Sequence, residues 1–300
     1  MYCIYERGRF IRIDHEKCSD LGAAHDEEGY IKYLKSQGAS PNTIRSCLTA
    51  VRQYKQFYSC FDREHLLLYR DYLLNHYKAS TVDNRIYGIN RFLNYMALTY
   101  THEAFPGSFR LPVIRKQNVS FLDHVISQKD YEKLKQCLKR DKDDYWYFVI
   151  RFMACSGARV SELVQMKQEH LKMGYMDLYT IGGKVRRIYF PEKLCQEALA
   201  WSEVRHIDSG FLFTNQRGDP ISPRWIRSQL KVLAKRYGIP EETMYPHSFR
   251  HRFAKNFLKR FQDISLLADL MGHESIETTR IYLTKSTEEQ REIIDRIVTW

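Results

Sequence analysis

Apolar residues recur at helical spacing through residues 24–100, and this pattern predicts a small all-helical unit. Ser40 followed by Pro41 is typical of a helix start, because the serine hydroxyl can cap free backbone N–H groups and proline suits the first turn. Four short helices are expected, lying near 25–36, after Ser40, around 66–73 and from Ser80 or Thr81 onward. A unit of this size can fold by itself.

The helical period is lost over residues 101–120, where prolines and a glycine interrupt it, so this segment is predicted to be a linker. The period then resumes and predicts a second, mostly helical domain over 121–300. Residues 143–156 are apolar nearly all round, which indicates a central buried helix. Residues 1–23 stay an unassigned extension, because the weak alternation in CIYERGRFIRID fits a small hairpin and disorder about equally well.

Two short runs in MDLYTIGGKVRRIYFP flank Gly182 and Gly183, and a pair of glycines between such runs predicts a β-hairpin. The predicted fold class is therefore mainly α with a small β-hairpin or sheet.

Charge and cysteine content narrow the function classes. Lys and Arg outnumber Asp and Glu by 47 to 36, a balance that favours polyanionic partners. The 7 cysteines are scattered without a C-x-x-C pair, which argues against a disulfide framework or a zinc ribbon and suits a reducing cytoplasm. The sequence has neither an apolar run long enough to span a bilayer nor the pattern of a secretory signal, so a cytoplasmic location is expected.

Arg159 follows the end of the predicted buried helix and precedes the next one. At such a junction a guanidinium lies beside free backbone N–H groups, where a phosphate can be held. An ion pair with Glu162, three residues on along one helix face, explains the same residue without any function.

His247 and Arg250 are three residues apart and project from one side of a predicted helix. His247 and His251 are four apart, a spacing that zinc sites also use. No H-E-x-x-H pattern and no third ligand accompany them, so no metal site is predicted.

A last segment combines a helix stop with a tyrosine. Gly272 ends an apolar run as a C-terminal cap would, and Ser275 can begin the next helix. Tyr282 falls near the end of that short helix, not far from His273, which makes it a candidate nucleophile.

The segments SGARVSEL, PHSFRHRFA and LMGHESIETTRIY resemble, in order and spacing, the three signature boxes of the tyrosine recombinase (phage integrase) family. The nine-residue spacing from His273 to Tyr282 also matches the family, and Lys184 occupies the family's β-hairpin lysine position. The resemblance extends over residues 25–300. It implies a SAM-like core DNA-binding domain over 24–100 and a catalytic domain over 121–300, as in simple Xer-like recombinases without an arm-binding domain.

The resemblance implies a set of roles. Tyr282 would attack a phosphodiester and form a 3′-phosphotyrosyl bond, His247 would accept the phenol proton, and Lys184 would protonate the departing 5′-oxygen. Arg159 and Arg250 would neutralise charge on the phosphate, and His273 would donate a further hydrogen bond to it. Glu162 would orient Arg159 or His247. Four further basic residues compete with Lys184 on sequence grounds: Lys142, Lys172, Arg186 and Arg187. The covalent bond stores the energy of the cut, so no cofactor is expected, and no nucleotide-binding G-x-x-x-x-G-K-[ST] motif occurs.

The expected partner is double-stranded DNA, bound by a homo-tetramer. Five residues of the first domain are expected to contact it: Arg45, Arg52, Lys55, Arg85 and Arg91. A C-terminal helix over about 286–300 would dock on a neighbouring subunit or pack on its own domain. Two alternatives stay open: a type IB topoisomerase that relaxes DNA, and a non-catalytic DNA-binding repressor or architectural protein.

Overall fold

The computed structural model describes residues 4–6, 9–11, 27–99, 109–114, 124–179, 185–273, 275–283, 291 and 294–296. The chain divides into two compact units, Met1–Val119 and Ser120–Trp300.

The described residues of the first unit form a short hairpin and four helices. In the hairpin, β1 and β2 pair antiparallel, with Ile4 opposite Ile11. The bounds are β1 Ile4–Glu6, β2 Arg9–Ile11, α1 Glu27–Ser36, α2 Pro41–Lys55, α3 Arg63–His76 and α4 Ala79–Thr99. The four predicted helices are confirmed, and the Ser40 hydroxyl caps α2 by accepting from the Thr43 N–H. The expected start of the last helix was slightly late, since α4 begins at Ala79.

The core of the first unit is aromatic. Tyr30, Tyr54 and Tyr69 are fully buried, and the Tyr54 ring stacks on Phe61 with centroids 4.5 Å apart. Aromatic side chains bury large areas each, so a few of them can close a core between short helices.

Part of the predicted linker packs on the first unit. Leu111 is buried there, its backbone N–H donates to Asn90 Oδ1, and its carbonyl accepts from Asn90 Nδ2, both at 2.9 Å. The rest of residues 101–120 lies outside the described residues, and the bounds of the linker stay a prediction.

The described residues of the second unit are mostly helical, with one two-stranded sheet. Its elements are α5 Gln128–Arg140, α6 Asp144–Ser156, α7 Val160–Leu163, α8 Gln168–Met173, β3 Tyr175–Tyr179, β4 Val185–Tyr189, α9 Glu192–Val204, α10 Pro223–Tyr237, α11 Pro246–Arg260, α12 Ile264–Met271 and α13 Glu277–Arg280, with 3-10 turns at Glu241–Thr243 and Ile281–Leu283.

The central buried helix is confirmed as α6. Nine of its 13 residues are buried, and α11 packs along it. A helix that is apolar all round needs neighbours on every side, which places α6 at the centre of the unit.

The predicted hairpin is also present, since β3 and β4 pair antiparallel with Tyr175 opposite Tyr189 and Tyr179 opposite Val185. Residues 180–184, which include Lys184, lie outside the described residues. The fold class of a mainly α protein with a small sheet is confirmed. None of the described helices combines the length and apolarity needed to cross a membrane.

Gly88 sets the approach of α4 to α2. A Cβ atom added there would lie 2.7 Å from the Ala50 Cβ and 3.2 Å from the Cys47 Cα. These neighbours are rigid, so Gly88→Ala should destabilise the first unit by about 1–2 kcal/mol despite the better helix propensity of alanine. Hydrogen exchange of α2 and α4 amides measures this. Asn84→Ala, on the exposed side of α4, is the matched control, and equal protection in both variants would contradict the packing argument.

Candidate active site

Arg250 is buried between the ends of two helices. Its Nη1 donates to the Gly157 carbonyl and its Nη2 to the Met271 carbonyl, each at 2.5 Å. These carbonyls close α6 and α12, where helix carbonyls lack partners and carry partial negative charge. Burial, together with the charges of nearby arginines, lowers the Arg250 pKa to about 10. The group therefore stays a cation at neutral pH.

Glu162 holds two arginines in place. Its Oε1 accepts from Arg159 Nη1 at 2.9 Å and from Arg186 Nη1 at 2.6 Å, and its Oε2 accepts from the Arg159 backbone N–H at 2.6 Å. Burial by itself raises the Glu162 pKa, but the Arg186 charge and the Arg159 hydrogen bonds outweigh it, and the pKa is lowered. Of its two predicted targets, Glu162 therefore contacts Arg159.

The ion pair with Glu162 leaves other N–H donors of the Arg159 guanidinium available. Its Nη2 also donates to the Gly272 carbonyl at 2.9 Å, and the side chain remains 39% exposed. Five N–H donors are available on a guanidinium, and these two bonds leave three for an anion. The functional and the purely structural interpretations of Arg159 are thus compatible.

Arg186 is a supporting residue that the sequence did not reveal. Its side chain is 10% exposed, and its Nε and Nη2 both donate to the Leu270 carbonyl, at 3.1 and 2.9 Å. Gly272 makes room for it, since a Cβ there would lie 2.2 Å from the Arg186 Cδ. Gly272 also has φ +61°, so the predicted helix stop is confirmed. As a largely buried guanidinium held by Glu162 and the Leu270 carbonyl, Arg186 is unsuited to protonate a leaving group.

His273 is neutral and has a defined tautomer. Its Nε2 lies 3.1 Å from Arg250 Nη2 and its Nδ1 lies 2.6 Å from the hydroxyl of Thr279, which is fully buried. A guanidinium can only donate, so Nε2 is the acceptor and Nδ1 carries the proton. Burial and the charges of Arg250 and Arg159 lower the His273 pKa to about 4.

Tyr282 lies in the 3-10 turn after α13, with its phenol oxygen 2.6 Å from His251 Nδ1. Burial raises the Tyr282 pKa to about 12, although the Arg250 charge opposes this. Burial, followed by the charges of His247 and Arg250, lowers the His251 pKa to about 4. Both groups are therefore neutral at pH 7, and the phenol donates to the imidazole.

His247 lies at the start of α11 and is exposed by its surface area, but its ring is partly desolvated by the surrounding atoms. This desolvation and the Arg250 charge lower its pKa. Its ring centroid lies 6.3 Å from that of His251. Among the hydrogen bonds of the described residues, Tyr282 has one to His251 and none to His247. The proton-accepting role of His247 stays a prediction. The i, i+3, i+4 spacing of His247, Arg250 and His251 was the available signal for His251, since it puts all three on one helix face.

The second unit thus brings Arg159, Arg250, His273 and Tyr282 into one site, supported by Glu162. The other expected DNA contacts lie on α2 and α4 of the first unit. Arg45 is exposed, while Arg52 is paired with Glu27 through Nη2 and Oε2 at 2.6 Å. Lys55, Arg85 and Arg91 are half-buried.

Within the part of the chain that the structure describes, one group of three potential metal ligands occurs, Cys60, Asp62 and His65 in the first unit. Asp62 caps α3 there, accepting from the His65 backbone N–H at 2.9 Å. This group lies in the first unit, whereas Tyr282 lies in the second.

Arg159, Arg250 and His273 come from three different segments and are connected through contacts at Gly272 and His273, in the same site as the partly buried Tyr282. Two guanidinium groups, a histidine and a tyrosine in one site are suited to holding and attacking a phosphate group. Comparison with known proteins identifies the family of this chain. Residues 124–289 match the family model described as "Phage integrase family".

Similar proteins of known name agree with this family match. Tyrosine recombinase XerA of Pyrococcus furiosus is 27% identical over 276 residues, covering 90% of this chain and 92% of the relative. Tyrosine recombinase XerC of Staphylococcus aureus is 25% identical over 291 residues, covering 90% and 95%. The Tn1549 transposon integrase, solved in complex with transposon right end DNA, shares the fold with a TM-score of 0.70 and 20% identity, covering 91% of this chain and 99% of that one.

The chain belongs to the phage integrase family, and the resemblance drawn from its sequence is confirmed. It is a tyrosine recombinase of Xer-like type, a class of enzyme that cuts and rejoins DNA.

Glu162→Gln should lower the free energy of unfolding of the second unit by about 3 kcal/mol, because it leaves the buried Arg186 without its counter-charge. All 4 tryptophans lie in this unit, so their fluorescence in a urea titration measures it. Glu277→Gln is the control, since its pair with Arg280 is exposed and worth well under about 1 kcal/mol. Equal effects of the two changes would refute the supporting role of Glu162.

Thr279→Val should release the His273 tautomer, because the buried Nδ1–H loses its acceptor. Nitrogen NMR of labelled histidine should then show proton density moving from Nδ1 toward Nε2, whereas Thr279→Ser should keep the parent spectrum. An unchanged His273 spectrum in the valine variant would show that the hydroxyl does not set the tautomer.

Proposed function

We propose that this chain is a site-specific recombinase whose Tyr282 attacks a DNA phosphodiester and becomes linked to the 3′-phosphate. The observation that carries the proposal is the convergence of Tyr282 with Arg250, Arg159 and His273 at the ends of α6, α11 and α12. Cleavage without hydrolysis leaves a free 5′-hydroxyl, and attack by a 5′-hydroxyl on the phosphotyrosyl bond reseals a strand. Integration, excision, inversion and dimer resolution all use this one exchange.

The arginines meet the electrostatic demand of the reaction. Negative charge builds on the non-bridging oxygens as the phosphorus becomes five-coordinate, and prepositioned cations stabilise that charge most in a site shielded from water. Arg250 uses three of its five N–H donors on Gly157, Met271 and His273, which leaves two for phosphate. Arg159 has three further N–H donors available, so the two guanidinium groups can donate to both non-bridging oxygens of the phosphate.

Lys184 is the proposed acid for the 5′-oxygen and follows directly on the Gly182-Gly183 pair, outside the described residues. A lysine on a hairpin turn can approach the scissile phosphate once DNA is bound. Exposed His247 is proposed to contact the phosphate from the α11 side. The bond to Tyr282 keeps the energy of the broken phosphodiester, so the exchange requires no nucleotide or other cofactor.

Double-stranded DNA is the proposed substrate, and a homo-tetramer on two sites is the proposed assembly. The excess of 47 basic over 36 acidic residues supports binding to DNA. The Tn1549 integrase structure contains transposon DNA, and the two chains share a fold. In the C-terminal segment, Ile294–Arg296 is helical. The proposed helix over about 286–300 docks in trans during assembly, and the protein acts in the cytoplasm at the nucleoid.

The two alternatives are not favoured. Recombinases and integrases, rather than topoisomerases, are the named relatives. A non-catalytic DNA-binding protein would be free to lose catalytic positions, and all of them are present in this chain: Arg159, Lys184, His247, Arg250, His273 and Tyr282.

Tyr282→Phe should abolish covalent protein–DNA adducts and leave DNA binding unchanged, because only the attacking oxygen is removed. Wild-type protein incubated with duplexes carrying a randomised segment should yield adducts, whose sequencing identifies the target. Mass spectrometry of the digested adduct should locate the nucleotide on Tyr282.

Tyr189→Phe serves as the control for this experiment, since that side chain is 56% exposed on β4 and should not alter adduct formation. Adducts that persist in Tyr282→Phe would refute the assignment of the nucleophile. Wild-type protein that binds duplexes but forms no adduct would favour the non-catalytic alternative.

A further inference from the structure

We propose that His251 is the base that takes the phenol proton of Tyr282 during strand cleavage and returns it during rejoining. The inference rests on the proposed function and names a catalytic residue of that same site. It replaces His247 in the proton-accepting role.

The geometry supports direct transfer. The phenol oxygen lies 2.6 Å from His251 Nδ1, within the range of a strong O–H···N hydrogen bond, and the ring centroids are 5.5 Å apart. A general base must lie within hydrogen-bond reach of the proton it removes, and His251 meets this condition before DNA is bound. His247 is exposed at the start of α11, one helical turn earlier.

The protonation state is the one that a base requires. A neutral imidazole with a free Nδ1 lone pair accepts the phenol proton, whereas an imidazolium cannot. After burial, the charges of His247, Arg250 and Lys255 are what disfavour protonation of His251. In the DNA-free protein the ring is therefore neutral at pH 7 and ready to accept.

A bound phosphate should strengthen the base. The anion would lie against Arg250 and offset the positive charge that disfavours an imidazolium at His251. Its arrival therefore raises the proton affinity of His251 when attack begins. The same anion disfavours ionisation of Tyr282, so proton transfer has to accompany attack rather than precede it.

The step is balanced in bonds and protons. The Tyr282 O–H bond breaks as its oxygen bonds to phosphorus, and the proton passes to His251 Nδ1. The bond from phosphorus to the 5′-oxygen breaks, and that oxygen takes a proton from Lys184 in the proposed scheme. Rejoining runs in reverse, with His251 returning the proton to the phenol oxygen.

His251→Asn separates proton transfer from simple positioning. The asparagine Oδ1, like Nδ1, is bonded to Cγ, so it can accept the phenol hydrogen bond but cannot take up the proton. Single-turnover cleavage of the duplex identified with wild-type protein should slow by about 10²–10⁴-fold in this variant, the usual contribution of a general base. His251→Ala should be slowed at least as much.

His206→Asn is the matched control. His206 is exposed after α9 with φ +55°, a conformation that asparagine adopts readily, so its rate should equal that of wild type. DNA binding and tryptophan fluorescence should be unchanged in all variants, which excludes loss of folding as the cause of a slower rate.

A second substrate tests whether His251 exchanges a proton with Tyr282 or with the leaving group. A duplex whose scissile 5′-oxygen is replaced by sulfur has a leaving group that departs without a proton, because a thiol is far more acidic than an alcohol. If His251 serves the tyrosine, sulfur should not restore the rate of His251→Asn. Recovery with sulfur would overturn the proposal by assigning His251 to the leaving group.

A rate near wild type in His251→Asn would also overturn the proposal, since it would show that hydrogen-bond acceptance suffices. These outcomes are distinct from failure of the proposed function, in which wild-type protein itself forms no adduct with Tyr282.

Discussion

The buried guanidinium of Arg250 is the contact on which the rest of the site depends. It joins the carbonyl ends of α6 and α12 through Gly157 and Met271, two residues more than 100 positions apart. Burying a cation is costly unless its donors are paired, and here helix-terminal carbonyls and His273 provide the partners. Once these helix ends are joined, the segment that carries His273 and Tyr282 begins beside Arg250.

A second layer of contacts keeps the cationic groups together without DNA. Glu162 is the carboxylate paired with both Arg159 and Arg186, and its own burial makes those pairs strong. The histidines respond to the same charges, because Arg250 lowers the pKa of His247, His251 and His273 alike. The unliganded site is therefore positive through its arginines and neutral at its histidines. An anion that binds there relieves repulsion, which couples phosphate binding to proton transfer.

Much of the site was predictable because its residues occur in short segments whose conformation depends on neighbouring residues in the chain. Arg159 follows a helix end, Gly272 stops a helix at φ +61°, and Tyr282 follows in a short turn. The family resemblance then connected these segments in order. Arg186 was not predictable as a supporting residue, since its partners are Glu162 and the Leu270 carbonyl, 24 and 84 residues away. Of the expected DNA contacts, Arg52 pairs with Glu27, a partner 25 residues earlier that helical periodicity does not reveal.

The sequence by itself determined the four helices of the first unit, the buried helix α6, the strands of the hairpin in the second unit, the family and the candidate nucleophile. Periodicity, capping and motif spacing act over short stretches of chain, which is why they can be read without the structure. Only the tertiary structure decided which histidine meets the phenol. His247 and His251 lie on the same face of α11, and local spacing cannot choose between them. The choice depends on how the chain after α12 returns to α11, which is a matter of packing between elements. That packing places Tyr282 against His251, 31 residues before it in the chain.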